Sequence, residues 1–317
     1  MNTQANDTVR VLADNDLDRY LDGLDVMSIL EQAFRALKQG EAVQPPQTLA
    51  LFPSDKGDFI TYLGILGNFE VFGAKLSPYI PTGGAPVVTA WTMLMSMRTG
   101  KPLLVCDSGR LTRERTAATT ALAVNKLAPA GAKKLSLVGT GAMGKAHLRH
   151  VLKLRDWSEI RVYSLDLVAS AALRDEFKAM DARVVCCDNT RDCVNGADVV
   201  MLCTSSGTPI LDIKDIGKPA LVTSISTNVA LAREVDPQAL AEMDVYCDYK
   251  KTTPASAGEM VLAEREHGWS PDAIKGDLAD ICTDGFAAPD YARPVFFRSI
   301  GLGLEDVAIA YAVYTRL

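Results

Sequence analysis

The 317-residue sequence has only three histidines and no long apolar run. His147 and His150 are three residues apart, as a metal-binding pair would be, but no third ligand accompanies them. We therefore interpret both as packing or surface residues and predict no metal site. No apolar stretch reaches the roughly 18 residues that a transmembrane helix needs. The first residues lack the basic and apolar regions of a secretory signal, so we expect no membrane association.

The sequence also lacks CxxC pairs and basic clusters. Its seven cysteines are odd in number and scattered, which is typical of reduced thiols and predicts a cytoplasmic protein. A formal net charge of -6 without a basic patch argues against a nucleic-acid partner. The hydrophobic content of 48% is that of a globular protein, and we expect its partner to be a small molecule.

What the sequence does contain is a strand–turn–helix pattern at residues 134–145, which read Lys-Leu-Ser-Leu-Val-Gly-Thr-Gly-Ala-Met-Gly-Lys. The glycines have the GxGxxG spacing of dinucleotide-binding units. Gly139 permits a tight turn, Gly141 lets backbone N–H groups approach a pyrophosphate, and Gly144 lets the helix pack closely on the strand. The pattern predicts a nicotinamide or flavin nucleotide at the helix N-terminus. The alternative is a glycine-rich turn of another α/β fold.

After this motif, strand and helix patterns alternate as far as residue 249, with a helix over 169–180 among them, which predicts an α/β fold with a doubly wound parallel sheet. The first third instead predicts a helix over 26–37 and then turns and strands of antiparallel character, with one strand over 87–97. A further helix is predicted over 112–127, where Thr112 could be the N-cap. Residues 1–20 are polar, and we expect them to be partly unstructured.

Two segments carry charge where it could act on a substrate. Lys75 is the only charge in an apolar strand, which indicates either a cleft lysine of lowered pKa or an edge-strand lysine that reaches solvent. Arg113 and Arg115 lie at a strand-to-helix junction, where a guanidinium can clamp a carboxylate. Surface salt bridges are the alternative for both arginines.

These segments, in this order, resemble the ornithine cyclodeaminase/mu-crystallin family. The resemblance covers nearly the whole chain and rests on Gly-Ala-Lys75, Arg115-Thr-Ala-Ala-Thr and Gly-Thr-Gly-Ala-Met-Gly144. Further support comes from Cys203-Thr-Ser-Ser-Gly-Thr-Pro209, Arg233-Glu-Val-Asp236 and Ser299-Ile-Gly-Leu-Gly-Leu-Glu-Asp306.

The resemblance implies a Rossmann-type NAD(P)-binding domain at 116–299. It also implies a mixed α+β substrate-binding and dimerisation domain built from both chain ends, 1–115 and 300–317. A homodimer, NAD or NADP as cofactor, and hydride transfer between the nicotinamide and the Cα of an amino acid or its imine are implied in the same way. Lys75 and Arg115 would then hold the substrate carboxylate.

Two positions depart from the family pattern. Gln47 stands where members often have an arginine, so we expect carboxylate binding to depend on Lys75 and Arg115. Asn228 stands where cyclodeaminases have an aspartate that handles protons, and an amide cannot accept a proton. This difference argues against cyclodeamination and favours simple imine reduction, in which Asn228 orients the reacting nitrogen or a water.

The predicted site has a catalytic, a substrate-binding and a cofactor-binding part. Lys75, Arg115 and Asn228 are the catalytic candidates, and Gln47 and Tyr62 would line the substrate pocket with the two cations. The cofactor candidates are Thr116, Gly139, Gly141, Ala142, Met143, Gly144, Ser164, Asp166, Thr204, Ser205, Ser226 and Asn228. Among them, Asp166 is placed to bond the ribose 2′-OH, which favours NAD and leaves NADP open.

The predicted activity is that of an NAD(P)-dependent oxidoreductase that interconverts a 2-oxo acid imine and an L-amino acid. The family's preference for basic side chains suggests L-arginine, formed from 2-oxoarginine and ammonia. The alternatives are a reductase of cyclic ketimines such as pyrroline- or piperideine-2-carboxylate, an ornithine cyclodeaminase, and a non-catalytic protein that binds a ligand together with the nucleotide.

Overall fold

The computed structural model describes residues 9–84, 86–227 and 230–317, and Asn228 lies outside them. The chain divides into two compact units. One comprises the chain up to Arg115 together with Leu302–Leu317, and the other comprises Thr116–Gly301. Helix α3 (Gly109–Leu127) carries the chain across the first boundary. Among the described helices, none is long and apolar enough to cross a membrane.

A mixed sheet forms the first unit. Its described strands are β1 (Arg10–Leu12), β2 (Ala42–Val43), β3 (Thr48–Leu51), β4 (Asp58–Leu66), β5 (Val71–Ile80), β6 (Val87–Val88), β7 (Trp91–Ser96) and β8 (Pro102–Asp107). The order across the sheet is β1-β8-β7-β5-β4-β2, with β3 paired to β4 and β6 paired to β5. Neighbouring strands among β4, β5, β7 and β8 run antiparallel, as the sequence predicts, whereas β1 runs parallel to β8.

A parallel sheet forms the second unit. Its described strands are β9 (Lys134–Val138), β10 (Glu159–Tyr163), β11 (Val184–Cys186), β12 (Val199–Leu202), β13 (Leu221–Ser224), β14 (Asp244–Cys247), β15 (Gly276–Asp277) and β16 (Val295–Arg298). Their order is β11-β10-β9-β12-β13-β16-β14-β15, so the last strand of the chain enters the middle of the sheet. The predicted α/β class, with a doubly wound parallel sheet beside a mixed unit, is confirmed.

The remaining described helices are α1 (Asp14–Leu21), α2 (Val26–Gln39), α4 (Ala142–Val151), α5 (Leu165–Ala169), α6 (Ala171–Met180), α7 (Thr190–Val194), α8 (Gly258–His267), α9 (Leu278–Ile281) and α10 (Gly303–Tyr314). Helix α10 packs on β4, β5 and α2, and its apolar residues are buried around the whole circumference. Gly64 and Gly303 allow that packing, because a Cβ on Gly64 would lie 2.7 Å from the carbonyl oxygen of Gly303. The N-terminal turn of α10 therefore rests directly on the backbone of β4.

Four local predictions were wrong. Within the segment expected to be partly unstructured, residues 1–8 lie outside the described ranges, whereas residues 10–12 and 14–21 form β1 and α1. Leu17 and Leu21 of α1 are buried by tertiary packing, which a short polar segment does not predict. Thr112 is not an N-cap, since α3 already begins at Gly109. The helix expected over 169–180 is two helices, α5 and α6, separated by Ser170, whose side chain caps α6. The strand expected over 87–97 is interrupted between β6 and β7.

Candidate active site

The glycine motif adopts the tight geometry that its spacing predicts. Gly139 has a φ of +110°, and a Cβ there would lie 2.4 Å from the carbonyl oxygen of Cys203. A Cβ on Gly144 would lie 2.0 Å from the carbonyl oxygen of Gly139, so the helix can start this close to the strand only with glycine. A Cβ on Gly141 would meet nothing within 4 Å, which means that this glycine faces open space.

That open space is a cleft of about 700 Å³ at the carboxyl ends of β9, β10, β12 and β13. Ligands of open parallel sheets bind at this edge. The cleft is lined by Val138, Gly139, Thr140, Gly141, Ala142, Met143, Tyr163, Ser164, Leu165, Asp166, Thr190, Cys203, Thr204, Ser205, Ser206, Ile210 and Ile225. It can therefore present backbone N–H groups and hydroxyls to a phosphate-bearing ligand, with apolar side chains for its rings.

Most of the predicted cofactor residues line this cleft, and a few lie elsewhere. Gly144 packs behind the turn, Thr116 is buried within α3, and Ser226 donates a hydrogen bond from Oγ to the Ser206 carbonyl oxygen at 2.7 Å. Asn228 lies outside the described residues. Thr140, Thr190, Ser206 and Ile225 line the cleft although the motif analysis did not select them. These four residues come together only because several strands end at the same edge of the sheet.

The end of β10 is where a ribose would be recognised. The Ser164 hydroxyl caps α5 by accepting the Leu167 N–H at 2.9 Å, and its oxygen lies 2.5 Å from the Thr140 hydroxyl. Asp166 lies in the first turn of α5, exposed and on the wall of the cleft. No arginine or lysine is among the described lining residues. The carboxylate is thus the one charged group of the described lining.

In the first unit, Lys75 is at the centre of a buried charged cluster. Its side chain, 1% exposed, places Nζ 2.8 Å from Asp306 Oδ2 and 4.1 Å from the centre of the Tyr62 ring. Tyr62 on β4 is the direct cross-strand partner of Lys75 on β5. Arg115 completes the cluster, with Nε 3.1 Å from Asp306 Oδ1 and Nη1 3.0 Å from Glu305 Oε2. Two cations and two carboxylates therefore neutralise one another away from water.

Burial and neighbouring charge change the pKa values of this cluster. Burial, and then the Arg115 guanidinium, lower the pKa of Lys75 to about 8, although Asp306 opposes the shift. Burial raises the pKa of Tyr62 to about 12. Burial alone would lower the pKa of Arg115, but Asp306 and Glu305 raise it overall. Arg115 is thus a permanent cation, and Lys75 can exchange a proton near neutral pH.

The two acids of the cluster were missed as site residues, although their segment contributed to the family resemblance. Glu305 and Asp306 are fully buried in the first turn of an otherwise apolar helix. A buried carboxylate is costly unless it is paired, so such acids imply cationic partners. Glu305 also accepts the Leu302 N–H, which fixes the start of α10. Two adjacent acids in an apolar helix therefore predict buried ion pairs, but the sequence does not show which cations pair with them.

Gln47 and the histidines, which the sequence analysis also considered, make none of the described contacts within the charged cluster around Lys75. Gln47 is half-buried, and its Oε1 is enclosed without a hydrogen-bond partner among the described residues. The preceding Gln44 accepts the Leu304 N–H at 2.9 Å and so supports α10. His147 packs as predicted, with Nε2 3.0 Å from the Thr120 hydroxyl. Across the described ranges, no group of metal-ligating side chains could hold an ion.

Known proteins resemble this chain over nearly its whole length. The model of the ornithine cyclodeaminase/mu-crystallin family matches residues 8–317. The NAD(P)H-dependent anabolic L-arginine dehydrogenase DauB of Pseudomonas aeruginosa is 51% identical over 309 residues, which are 97% of each chain. The Δ1-pyrroline-2-carboxylate reductase of Colwellia psychrerythraea is 27% identical over 259 residues, 79% of this chain and 81% of that one.

A solved structure has the same fold. The Δ1-pyrroline-2-carboxylate reductase of Thermococcus litoralis, in complex with NADH and L-proline, superimposes with a TM-score of 0.89 at 22% identity over 97% of each chain. The resemblance predicted from the motifs is confirmed by the family match over nearly the whole sequence. The chain belongs to the ornithine cyclodeaminase/mu-crystallin family.

Proposed function

We propose that this protein is an NAD(P)H-dependent dehydrogenase that interconverts L-arginine with 2-oxoarginine and ammonia through the imine. The observation that carries the proposal is the buried Lys75, paired with Asp306 and flanked by Arg115, in a chain that is half identical to an L-arginine dehydrogenase along nearly its whole length. Such a lysine can supply a proton to a substrate nitrogen, and such an arginine can hold a carboxylate.

The cofactor is NADH or NADPH, which supplies the hydride when it is bound. The cleft of the second unit fits such a molecule, because Gly141 leaves room for a phosphate and the start of α4 offers unpaired backbone N–H groups. Gly139, Thr140, Ala142 and Met143 would surround the pyrophosphate. Asp166 would accept a bond from the ribose 2′-OH, which favours NAD. We propose that Thr204, Ser205, Ser226 and Asn228 bind the remainder of the nucleotide, and that Thr116 of α3 also binds it.

Arg115 would bind the substrate carboxylate. Its bonds to Asp306 and Glu305 use Nε and Nη1, and a guanidinium has five N–H donors, so further donors remain for a carboxylate. The two acids fix the guanidinium plane. They also balance its charge, so that the cluster can be buried without substrate.

Lys75 would protonate the reacting nitrogen during reduction and take the proton back during oxidation. A pKa of about 8 suits both directions, because a proton donor works best when its pKa is close to the working pH. Asp306 holds the ammonium in place, and the Tyr62 ring covers it. Gln47 would offer its unpaired Oε1 as an acceptor for a donor on the substrate. Asn228 would orient the nitrogen or a water by hydrogen bonds.

A cyclic-ketimine reductase is the second candidate, because a pyrroline-2-carboxylate reductase is among the relatives of this chain. The two activities need the same hydride and proton transfer and differ in whether ammonia is a substrate. An ornithine cyclodeaminase is disfavoured by the amide at Asn228. A pure binding protein would have no need for the proton-exchanging lysine.

An absorbance assay at the nicotinamide band separates these candidates. The protein is incubated with NADH or NADPH, ammonia and 2-oxo acids including 2-oxoarginine, or with pyrroline- and piperideine-2-carboxylate without ammonia. We expect oxidation that requires both ammonia and 2-oxoarginine. Oxidation with the cyclic imines alone would establish the second candidate. Nucleotide binding without any oxidation, or release of ammonia from ornithine, would contradict both.

We also propose that the protein is a cytoplasmic homodimer, formed through the open face of the first sheet. Leu63, Leu76, Trp91 and Met93 point away from Lys75 on β4, β5 and β7, and each is between 39% and 47% exposed. A contiguous apolar sheet face of this kind marks an interface. A second copy is the proposed occupant, in line with the dimer described for an archaeal alanine dehydrogenase of the same fold. All seven cysteines lie among the described residues and none forms a disulfide, as suits a reducing compartment.

A further inference from the structure

Glu234 is a fully buried carboxylate that the proposed chemistry does not use. Its Oε1 accepts the Thr204 N–H and the Thr204 hydroxyl, both at 2.7 Å. Its Oε2 accepts the Ser224 hydroxyl at 2.8 Å, the Ile225 N–H at 3.1 Å and the Ser226 N–H at 3.3 Å. One side chain thus receives five hydrogen bonds, and both of its oxygens act only as acceptors.

The donors lie in the two loops that form one wall of the nucleotide cleft, except Ser224, which is the last residue of β13. Thr204 follows β12, and Ile225 and Ser226 follow β13. Thr204 and Ile225 line the cleft. Glu234 lies outside that lining and reaches both loops from behind, one with each carboxylate oxygen. The Ser226 hydroxyl bond to Ser206 is a further direct link between the loops.

The loop after β13 is also held by a bond to the carbonyl oxygen of Ser226. Arg298 donates to the carbonyl oxygen of Ser226, and its Nε lies 2.6 Å from Glu259 Oε1 in an ion pair that is completely buried. The backbone of Ser226 therefore has an anion at its N–H and a cation at its carbonyl oxygen. Bonds of this kind are satisfied only in one arrangement of the loop, because a buried polar group that loses its partner is costly.

We propose that Glu234 is a positioning residue for the nucleotide: it ties the β12 and β13 loops together in the one spacing that fits the cofactor. This inference rests on the proposed function, since it takes the cleft to be the NAD(P) site. Glu234 does not touch the cofactor. It sets the shape of the wall that does.

The test is the Glu234→Gln substitution, which keeps the shape of the side chain and replaces one acceptor oxygen with an NH₂ donor. In either orientation of the amide, that donor faces backbone N–H groups, at Thr204 or at Ile225 and Ser226. The loops must then move apart. We expect the Kd for NADH, measured by fluorescence titration well below the melting temperature, to rise about tenfold. The KM for the nucleotide should rise with it, and kcat at saturating nucleotide should change less.

Asp248→Asn is the matched control. Asp248 is equally buried and also accepts five hydrogen bonds, from Tyr249, Thr253, Ser299, Ile300 and Gly301. None of these donors is among the described residues that line the cleft. We expect this variant to lose a comparable amount of thermal stability while its Kd for NADH stays within about twofold of the wild type.

A wild-type Kd for NADH in Glu234→Gln would overturn the inference and leave the proposed function intact. So would an equal rise in Kd in both variants, since that would reflect general destabilisation. If Glu234→Gln does not fold, Glu234→Asp keeps the charge and shortens the reach, and it should weaken NADH binding in the same direction. A wild-type protein that does not bind NADH or NADPH would overturn the inference together with the proposed function.

Discussion

Replacing Asp306 by Asn should shift the pH range in which the protein reduces its substrate. The carboxylate lies 2.8 Å from Lys75 Nζ and holds up a lysine pKa that burial and Arg115 lower to about 8. At that separation, a unit charge contributes about 1.5 kcal/mol in the dielectric of water and about 6 kcal/mol at an effective dielectric of 20. One pKa unit corresponds to about 1.36 kcal/mol. The loss of even the weaker of these interactions lowers the pKa of Lys75 by about one further unit.

The sign of the effect follows from the proposed role of Lys75 as the proton donor. Reduction needs the protonated lysine, so kcat/KM should fall as the pH rises through the lysine pKa, near 8 in the wild type. In Asp306→Asn the fall should be centred near pH 7 or below. The variant should also be less stable by about 3–5 kcal/mol, because Lys75 and Arg115 lose a buried counter-charge. The assay is kcat/KM for reduction, measured from pH 5.5 to 10 with about half-unit steps.

Glu305→Gln is the control for this experiment. Glu305 pairs with Arg115, and its charge raises the pKa of Lys75 less than the charge of Asp306 does. The Glu305→Gln variant should therefore lose stability without an equal shift of the pH profile. An unchanged alkaline limb in Asp306→Asn would refute the role of Lys75 as the proton donor. A shift of the same size in both variants would refute the assignment of the effect to the Asp306–Lys75 pair.

Three further predictions concern the nucleotide site and the assembly. Gly144→Ala should lower the melting temperature, because its Cβ would lie 2.0 Å from a carbonyl oxygen. Gly141→Ala should melt like the wild type but bind NADH about tenfold more weakly. Thermal melting and fluorescence titration of both variants check these two results. Asp166→Ser should raise the ratio of kcat/KM with NADPH to that with NADH, because it removes the carboxylate that we propose to bond a ribose hydroxyl and to repel a phosphate. An unchanged ratio would refute that role. Met93→Lys should convert the proposed dimer to monomers, because it puts a charge in the exposed apolar face of the first sheet. Light scattering measures the molar mass of the variant, and an unchanged dimer mass would exclude this face as the interface.

The sequence could predict those parts of the site that depend on neighbours in the chain. Gly139, Gly141 and Gly144 are within six residues of one another, and their spacing alone fixes a tight turn between a strand and a helix. The alternation of strands and helices that follows predicts the parallel sheet, because it too is a pattern of residues close together in the chain. Each strand and helix must bury its apolar side against a neighbouring element, and alternating elements do so as a parallel sheet covered by helices.

The charged cluster could not be predicted in full, because it joins residues that are distant in the chain. Asp306 and Lys75 meet only because Gly303 and Gly64 let α10 approach β4 backbone to backbone. The sequence shows the two acids of α10 and the lone lysine of β5, but it does not show that they pair. The same limit explains Glu234, whose five donors come from the end of β13 and from the loops that follow β12 and β13.

The most direct test of the account follows the hydride itself. The protein is supplied with 2-oxoarginine, ammonia and NADH or NADPH that carries deuterium at the reactive position of the nicotinamide, and the product is examined by mass spectrometry. We expect L-arginine that is heavier by one deuterium, located at Cα, and we expect it to disappear when Lys75 is replaced by Met. Arginine without the label would contradict the account. So would labelled proline from a parallel reaction with pyrroline-2-carboxylate while 2-oxoarginine and ammonia give no labelled arginine.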